Sequence, residues 1–169
     1  YREGKLVSDN YKNILRSQTN AAAIPAEVTV RYGVTVRRAN LRNLPTGEGL
    51  FFYASDRNFD ALQETALDPG EAVAILHTST NGYFYYVQAY NYRGWLSKFD
   101  VAETDRSTWL RYAEPKNFLT VVAKDYTLKA DGAQVLFQQG ARLQLADKKA
   151  SAYTVKVPVR TKEGKLQEE

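Results

Sequence analysis

Few side chains in this sequence could do chemistry, and they fall into three groups. The first is the single histidine, His77, at the end of an apolar run and just before Thr78-Ser79-Thr80. A catalytic histidine works on a nucleophile and is oriented by an acid, so Ser79 is the neighbour to weigh. The Gly-x-Ser-x-Gly elbow that would present such a serine is missing. A structural or surface histidine is the favoured reading. The second group is acidic: Asp56, Asp60, Glu64 and Asp68 recur every four residues. On a helix they would line one face and suggest a hydrolase pair or a calcium loop. The EF-hand spacing is absent, so a solvated acidic surface is favoured. The third group is aromatic: Tyr83, Phe84, Tyr85, Tyr86, Tyr90, Tyr92 and Trp95 fall within thirteen residues. A strand points half of its side chains outward, and outward rings bury much area at low entropic cost. Such an exposed cluster marks a binding groove. Bases could stack on it, but the basic track that should run alongside is weak, and nucleic acid is not expected as a partner.

Composition narrows the classes further. The chain has 169 residues, 44% hydrophobic and 25% charged, which is the usage of an ordinary globular protein. There is no cysteine, which excludes a disulfide scaffold, a thiolate metal site and a thiol nucleophile. One histidine excludes a histidine-rich metal site, and no phosphate loop, dinucleotide fingerprint or zinc spacing occurs. No metal, cofactor or catalytic residue is therefore expected. No apolar run approaches the ~20 residues of a membrane span. A net charge of +4 suits loose attraction to an anionic surface, either nucleic acid or a cell-wall polymer, and selects neither. The chain opens at Tyr1 without Met or the apolar core of a signal peptide, so a processed or cut chain is expected.

The elements that must position these groups are mostly strands. Ser8 or Asp9 can cap a short helix carrying Tyr11, Ile14 and Leu15, and Pro25 closes the small polar segment after it. From Val28 the apolar period becomes two, through Val30, Tyr32, Val34 and Val36. Residues 47–68 read as a long irregular stretch, in which 61–66 are expected to form a helical turn or two. Ala72 to His77 is a strand, Asn81-Gly82 a hairpin turn, Tyr83 to Ala89 the returning strand, and Trp95-Leu96 a closing one. Thr104 to Pro115 reads as a linker. A second strand pattern follows at 118–122, 125–128, 135–137, 143–145 and, as one alternating run, 153–159, with a turn at Asp131-Gly132 and a frayed, charged end. The expected fold is mainly β: two small antiparallel barrels, at 28–103 and 104–169, behind a short helical N-terminal segment at 1–27.

Three motifs in order carry a resemblance. Val36-Arg37-Arg38-Ala39-Asn40-Leu41-Arg42-Asn43-Leu44-Pro45-Thr46 resembles the opening of the bacterial SH3-like (SH3b1) domains that precede NlpC/P60 cell-wall peptidase domains. Phe59 to Gly70 resembles the loop inserted in that domain, and Tyr92-Arg93-Gly94-Trp95-Leu96 its closing strand. Residues 1–30 resemble the helical lead-in of such proteins, and 104–160, more loosely, their second SH3-like domain (SH3b2). The resemblance implies a non-catalytic module of a peptidoglycan endopeptidase, exported to the periplasm or cell envelope. Its partners would be the peptidoglycan stem peptide and an NlpC/P60 catalytic domain, in cis or in trans. It further implies that the first barrel helps to recognise the free N-terminal alanine of the stem peptide, through a tyrosine matched here by Tyr92 and an acid matched by Glu48. Tyr86 and Trp95, on the aromatic strands, complete the expected contact surface. The alternative is a free-standing protein-interaction domain with an aromatic groove. An enzyme built on His77 alone is disfavoured, because the usual nucleophile partners are missing.

Overall fold

The computed structural model describes residues 1–130 and 132–169. Ser8 does cap the first helix, α1 (Asp9–Ser17): its side chain accepts from the Tyr11 amide, and Leu15 is the buried residue of the helix. A single 3-10 turn at Ala21–Ala23 follows.

Seven strands come next: β1 (Arg31–Thr35), β2 (Ala39–Arg42), β3 (Gln63–Leu67), β4 (Ala72–Thr78), β5 (Phe84–Gln88), β6 (Arg93–Ser97) and β7 (Val101–Thr104). They form one antiparallel sheet in the order β3-β2-β6-β5-β4-β1-β7. Leu67 of β3 and Val101 of β7 belong to the same buried cluster as Leu41, Val73, Ile75, Val87 and Leu96. The strands at the two ends of the sheet share one core, so the sheet wraps round it as an SH3-like barrel. Gly94 marks the tightest approach: a Cβ there would come within 2.5 Å of Leu41 Cδ2 and 2.7 Å of the Arg42 carbonyl.

Helix α2 (Arg106–Ala113) occupies the segment expected to be a linker. Asp105 caps it by accepting from the Thr108 amide, and Trp109 seats it on the first barrel by donating Nε1–H to the Val73 carbonyl at 3.0 Å. The expected turn of helix at 61–66 is instead β3, paired with β2 from Ala39↔Leu67 to Arg42↔Gln63.

The second unit holds three small sheets among the described residues. Strands β9 (Asp125–Ala130) and β10 (Ala133–Gln138) pair as a hairpin; β11 (Arg142–Lys148) lies between β8 (Phe118–Thr120) and β12 (Tyr153–Lys156); β13 (Pro158–Arg160) pairs with β14 (Leu166–Glu168). Phe137, Val135, Leu143, Val121 and Val157 make their common core. Of the turn expected at Asp131-Gly132, Asp131 lies outside the described residues, while Gly132 has the left-handed φ that a turn glycine takes. The expected single strand 153–159 is broken. Pro158 has no amide to continue the β11 ladder, and Val157 pairs with Glu169 instead. The charged C-terminus is thus paired in a ladder rather than frayed. It also ties the two units together: the Glu103 amide donates to the Gly164 carbonyl at 2.8 Å, and Arg160 Nε to the Val101 carbonyl at 3.1 Å.

Candidate ligand-binding face

Strand register places four side chains in one row across the first barrel. His77 is opposite Tyr86, Tyr86 opposite Trp95, and Trp95 opposite Arg42. Val87, Leu96 and Leu41 beside them point into the core, so alternation turns the row to the outer face. His77 joins the row because a bulge between Ile75 and His77 shifts the phase by one residue. The Tyr86 and Trp95 rings pack at 5.2 Å between centroids, and the His77 ring meets Trp95 edge-on at 6.2 Å.

An outward indole would ordinarily be wet, yet Trp95 is only 4% exposed. The N-terminal segment is anchored on its neighbour His77 and on Thr80. His77 Nε2–H donates to the Asn20 carbonyl at 3.0 Å, and Thr80 holds the Ser17 and Gln18 carbonyls through its hydroxyl and its amide. His77 is thus an anchor for the segment before β1. Ser79 is spent on its turn: its hydroxyl donates to Asn81 Oδ1 and accepts from the Phe84 amide.

The fourth residue of the row fixes the long loop. Arg42 Nη2 donates to the Glu48 carbonyl at 2.6 Å and pairs with Asp60 Oδ2 at 2.7 Å. Asp60 Oδ1 in turn accepts the amides of Leu50 and Leu62. Asp60 is therefore a half-buried organiser of the loop and not part of a solvated acidic surface. Asp68 is likewise committed, to Arg38 and to the Gln138 amide. Among the described residues no group of three or more histidine, aspartate or glutamate side chains could hold a metal ion.

Glu48 leaves that loop with its carboxylate turned to the N-terminal segment. It accepts from the Tyr11 hydroxyl and pairs with Arg2 Nη2 at 2.5 Å. Burial and the Glu48 carboxylate both push the Tyr11 phenol up from its ordinary value. A cavity of about 230 Å³, lined by Arg2, Glu48, Phe51 and Arg57, opens beside this cluster. Tyr92 begins the last turn before β6. Its side chain is 42% exposed, while its carbonyl closes the turn by accepting from the Ala89 amide and Gln88 Nε2. Tyr86 and Trp95 are thus in contact, Glu48 is reached through Arg42, and Tyr92 stands open at the β5–β6 turn. Sequence reading gave Arg2, Tyr11 and Arg42 no part in the site and placed Asp60 on a solvated acidic surface. The one local signal for any of them was Asp60 followed two residues later by buried Leu62, the pattern of an Asx turn.

Residues 50–97 match the model of the SH3 domain family of SH3b1 type. No curated protein matches the chain. Among solved structures, an NlpC/P60 endopeptidase from Photobacterium damselae subsp. piscicida is similar over 96% of this chain, at a TM-score of 0.77 and 22% identity. This chain covers 36% of that one. The matched segment runs from the long loop to β6 and includes Tyr86, Tyr92 and Trp95. Residues 50–97 are thus similar to SH3 domains of the SH3b1 type, and the chain shares its fold with part of an NlpC/P60 endopeptidase.

Proposed function

We propose that this chain is the non-catalytic targeting and substrate-gating part of an NlpC/P60-type peptidoglycan endopeptidase in the cell envelope. The observation that carries the reading is the SH3b1 match over residues 50–97, the segment that ends on the Tyr92-to-Ser97 strand. In this reading residues 28–103 are the binding unit, 1–27 its lead-in, and 104–169 a supporting second barrel. Tyr92 contacts the stem peptide with its exposed ring. Glu48 receives the peptide's N-terminal ammonium, displacing the Arg2 guanidinium that now neutralises it. The exchange is chemically even, since both cations give a carboxylate charge-assisted hydrogen bonds. Tyr86 and Trp95 keep the surface rigid beneath. The catalytic domain, in cis or in trans, docks against the long loop, where Phe52, Tyr53 and Phe59 project into solvent. Those same rings favour the second reading, a free-standing domain that binds a protein partner.

Sedimentation with purified peptidoglycan sacculi tests the proposal. The wild-type chain is expected in the pellet, and Tyr92→Ala, still folded by circular dichroism, in the supernatant. Wild-type protein that stays in the supernatant would overturn it and leave the protein-partner reading.

A further inference from the structure

We infer that the cleft between the first barrel, α2 and the second barrel is a separate binding site for a primary alkylammonium group, with Glu71 as its counter-ion. The cleft has a volume of about 490 Å³, within the range of ~300–1,000 Å³ typical of small-molecule sites. Its floor is the outer face of β4, where Ala72 and Ala74 are too small to fill the space. Its walls are Tyr90, Trp109 and Tyr112.

Two of these walls, Trp109 and Tyr112, are preorganised. Trp109 is held by its bond to the Val73 carbonyl and by the Tyr32 ring at 5.1 Å, and Tyr112 donates its hydroxyl to Glu168 at 3.0 Å. The remaining polar side chains are also committed. Gln88 gives its amide to the Ala89 and Tyr92 carbonyls. Arg142 lies over the Phe118 ring at 5.0 Å and forms no ion pair with Glu71. Glu71 differs from all of them: no hydrogen bond from the described residues reaches its carboxylate. Burial is the main cause that raises its pKa above the ordinary value; neighbouring Asp68 adds to this and Arg142 opposes it. A half-buried carboxylate without a donor, flanked by ring faces, is complementary to a cation on an apolar stem. The ammonium would meet Glu71, and the stem would lie along Trp109 and Tyr90.

Amide-shift titration of the whole chain with Nα-acetyl-lysine methylamide tests this, with the Nε-acetylated analogue as neutral control. Saturable shifts are expected at the amides of Ala72, Ala74 and Ala89, and none with the neutral analogue. Glu71→Gln should weaken binding about 10-fold or more. It should also melt higher at neutral pH, because a desolvated charge has been removed. Tyr90→Ala, at a side chain 83% exposed and so without a part in folding, should weaken binding several-fold. Tyr92→Ala should leave it unchanged, which separates this site from the face proposed above. No saturable shifts, equal shifts with the neutral analogue, or undiminished binding by Glu71→Gln or Tyr90→Ala would overturn the inference.

Discussion

Arg42 and Asp60 form an ion pair at 2.7 Å with side-chain exposures of only 6% and 18%, and this pair joins the aromatic row of the first barrel to the loop that carries Glu48. Arg42 sits in the ladder opposite Trp95 while holding the Glu48 carbonyl; Asp60 holds the amides of Leu50 and Leu62. Removing the acid would take the carboxylate from a buried guanidinium and the acceptor from two part-buried amides. Asp60→Ala is therefore expected to cost about 3–5 kcal/mol of stability, read as a lowered urea midpoint. A variant within about 1 kcal/mol of wild type, the range of an exposed pair, would show that the pair is screened by water.

Tyr11 and Arg2 occupy the Glu48 carboxylate from the N-terminal segment. If Glu48 takes the ligand's ammonium, these two groups compete with it. The combined change Arg2→Ala and Tyr11→Phe is expected to tighten stem-peptide binding several-fold, with the melting temperature nearly unchanged because surface ion pairs contribute little. Calorimetric titration checks this; weaker binding by the double variant would mean that the N-terminal segment builds the site.

Asp105 caps α2, and hydrogen bonds from the Ser107 side chain and from Thr108 hold its carboxyl well below the usual carboxylate range. The unfolded chain therefore takes up the proton first. The stabilisation is present above the unfolded value near ~4 and is lost as pH falls through the lower folded value. Asp105→Ala should thus lower the melting temperature at neutral pH, and the difference from wild type should shrink as pH falls well below ~4. A difference constant with pH would contradict the assignment.

Gly94 leaves no room for a side chain: a Cβ would lie 2.5 Å from Leu41 Cδ2 and 2.7 Å from the Arg42 carbonyl. Backbone cannot yield as a flexible side chain does. Gly94→Ala should destabilise the first barrel by about 1–3 kcal/mol, and thermal melting would show it. An unchanged melting point would mean that β2 and β6 can separate at no cost.

Much of the barrel was legible in the residues. The apolar run at 72–77, the alternating run at 83–89 and the Asn81-Gly82 turn specify the hairpin, because a half-buried strand needs such alternation and that turn suits its twist. The Tyr92-to-Leu96 motif marked the closing strand. Strand β3 was not legible: Gln63-Glu64-Thr65-Ala66 is polar and rich in helix formers, and only pairing with β2 makes it extended. Helix α2 hid behind Asp105-Arg106-Ser107-Thr108, which reads as a linker until Asp105 is recognised as its cap. Val157 and Pro158 looked continuous with β12, and only the missing proline amide divides the run. In the candidate site, the carbonyl that holds His77 and the partners of the Glu48 carboxylate come from the first twenty residues. Such long-range contacts leave no local pattern.

The most direct test of the account is calorimetric titration of the whole chain with a peptidoglycan stem peptide, once with its N-terminal alanine free and once N-acetylated. The account predicts saturable binding of the free peptide that falls about 10-fold or more in Tyr92→Ala and in Glu48→Gln, and is lost on acetylation. Equal binding of the two peptides, or undiminished binding by Tyr92→Ala, would contradict it.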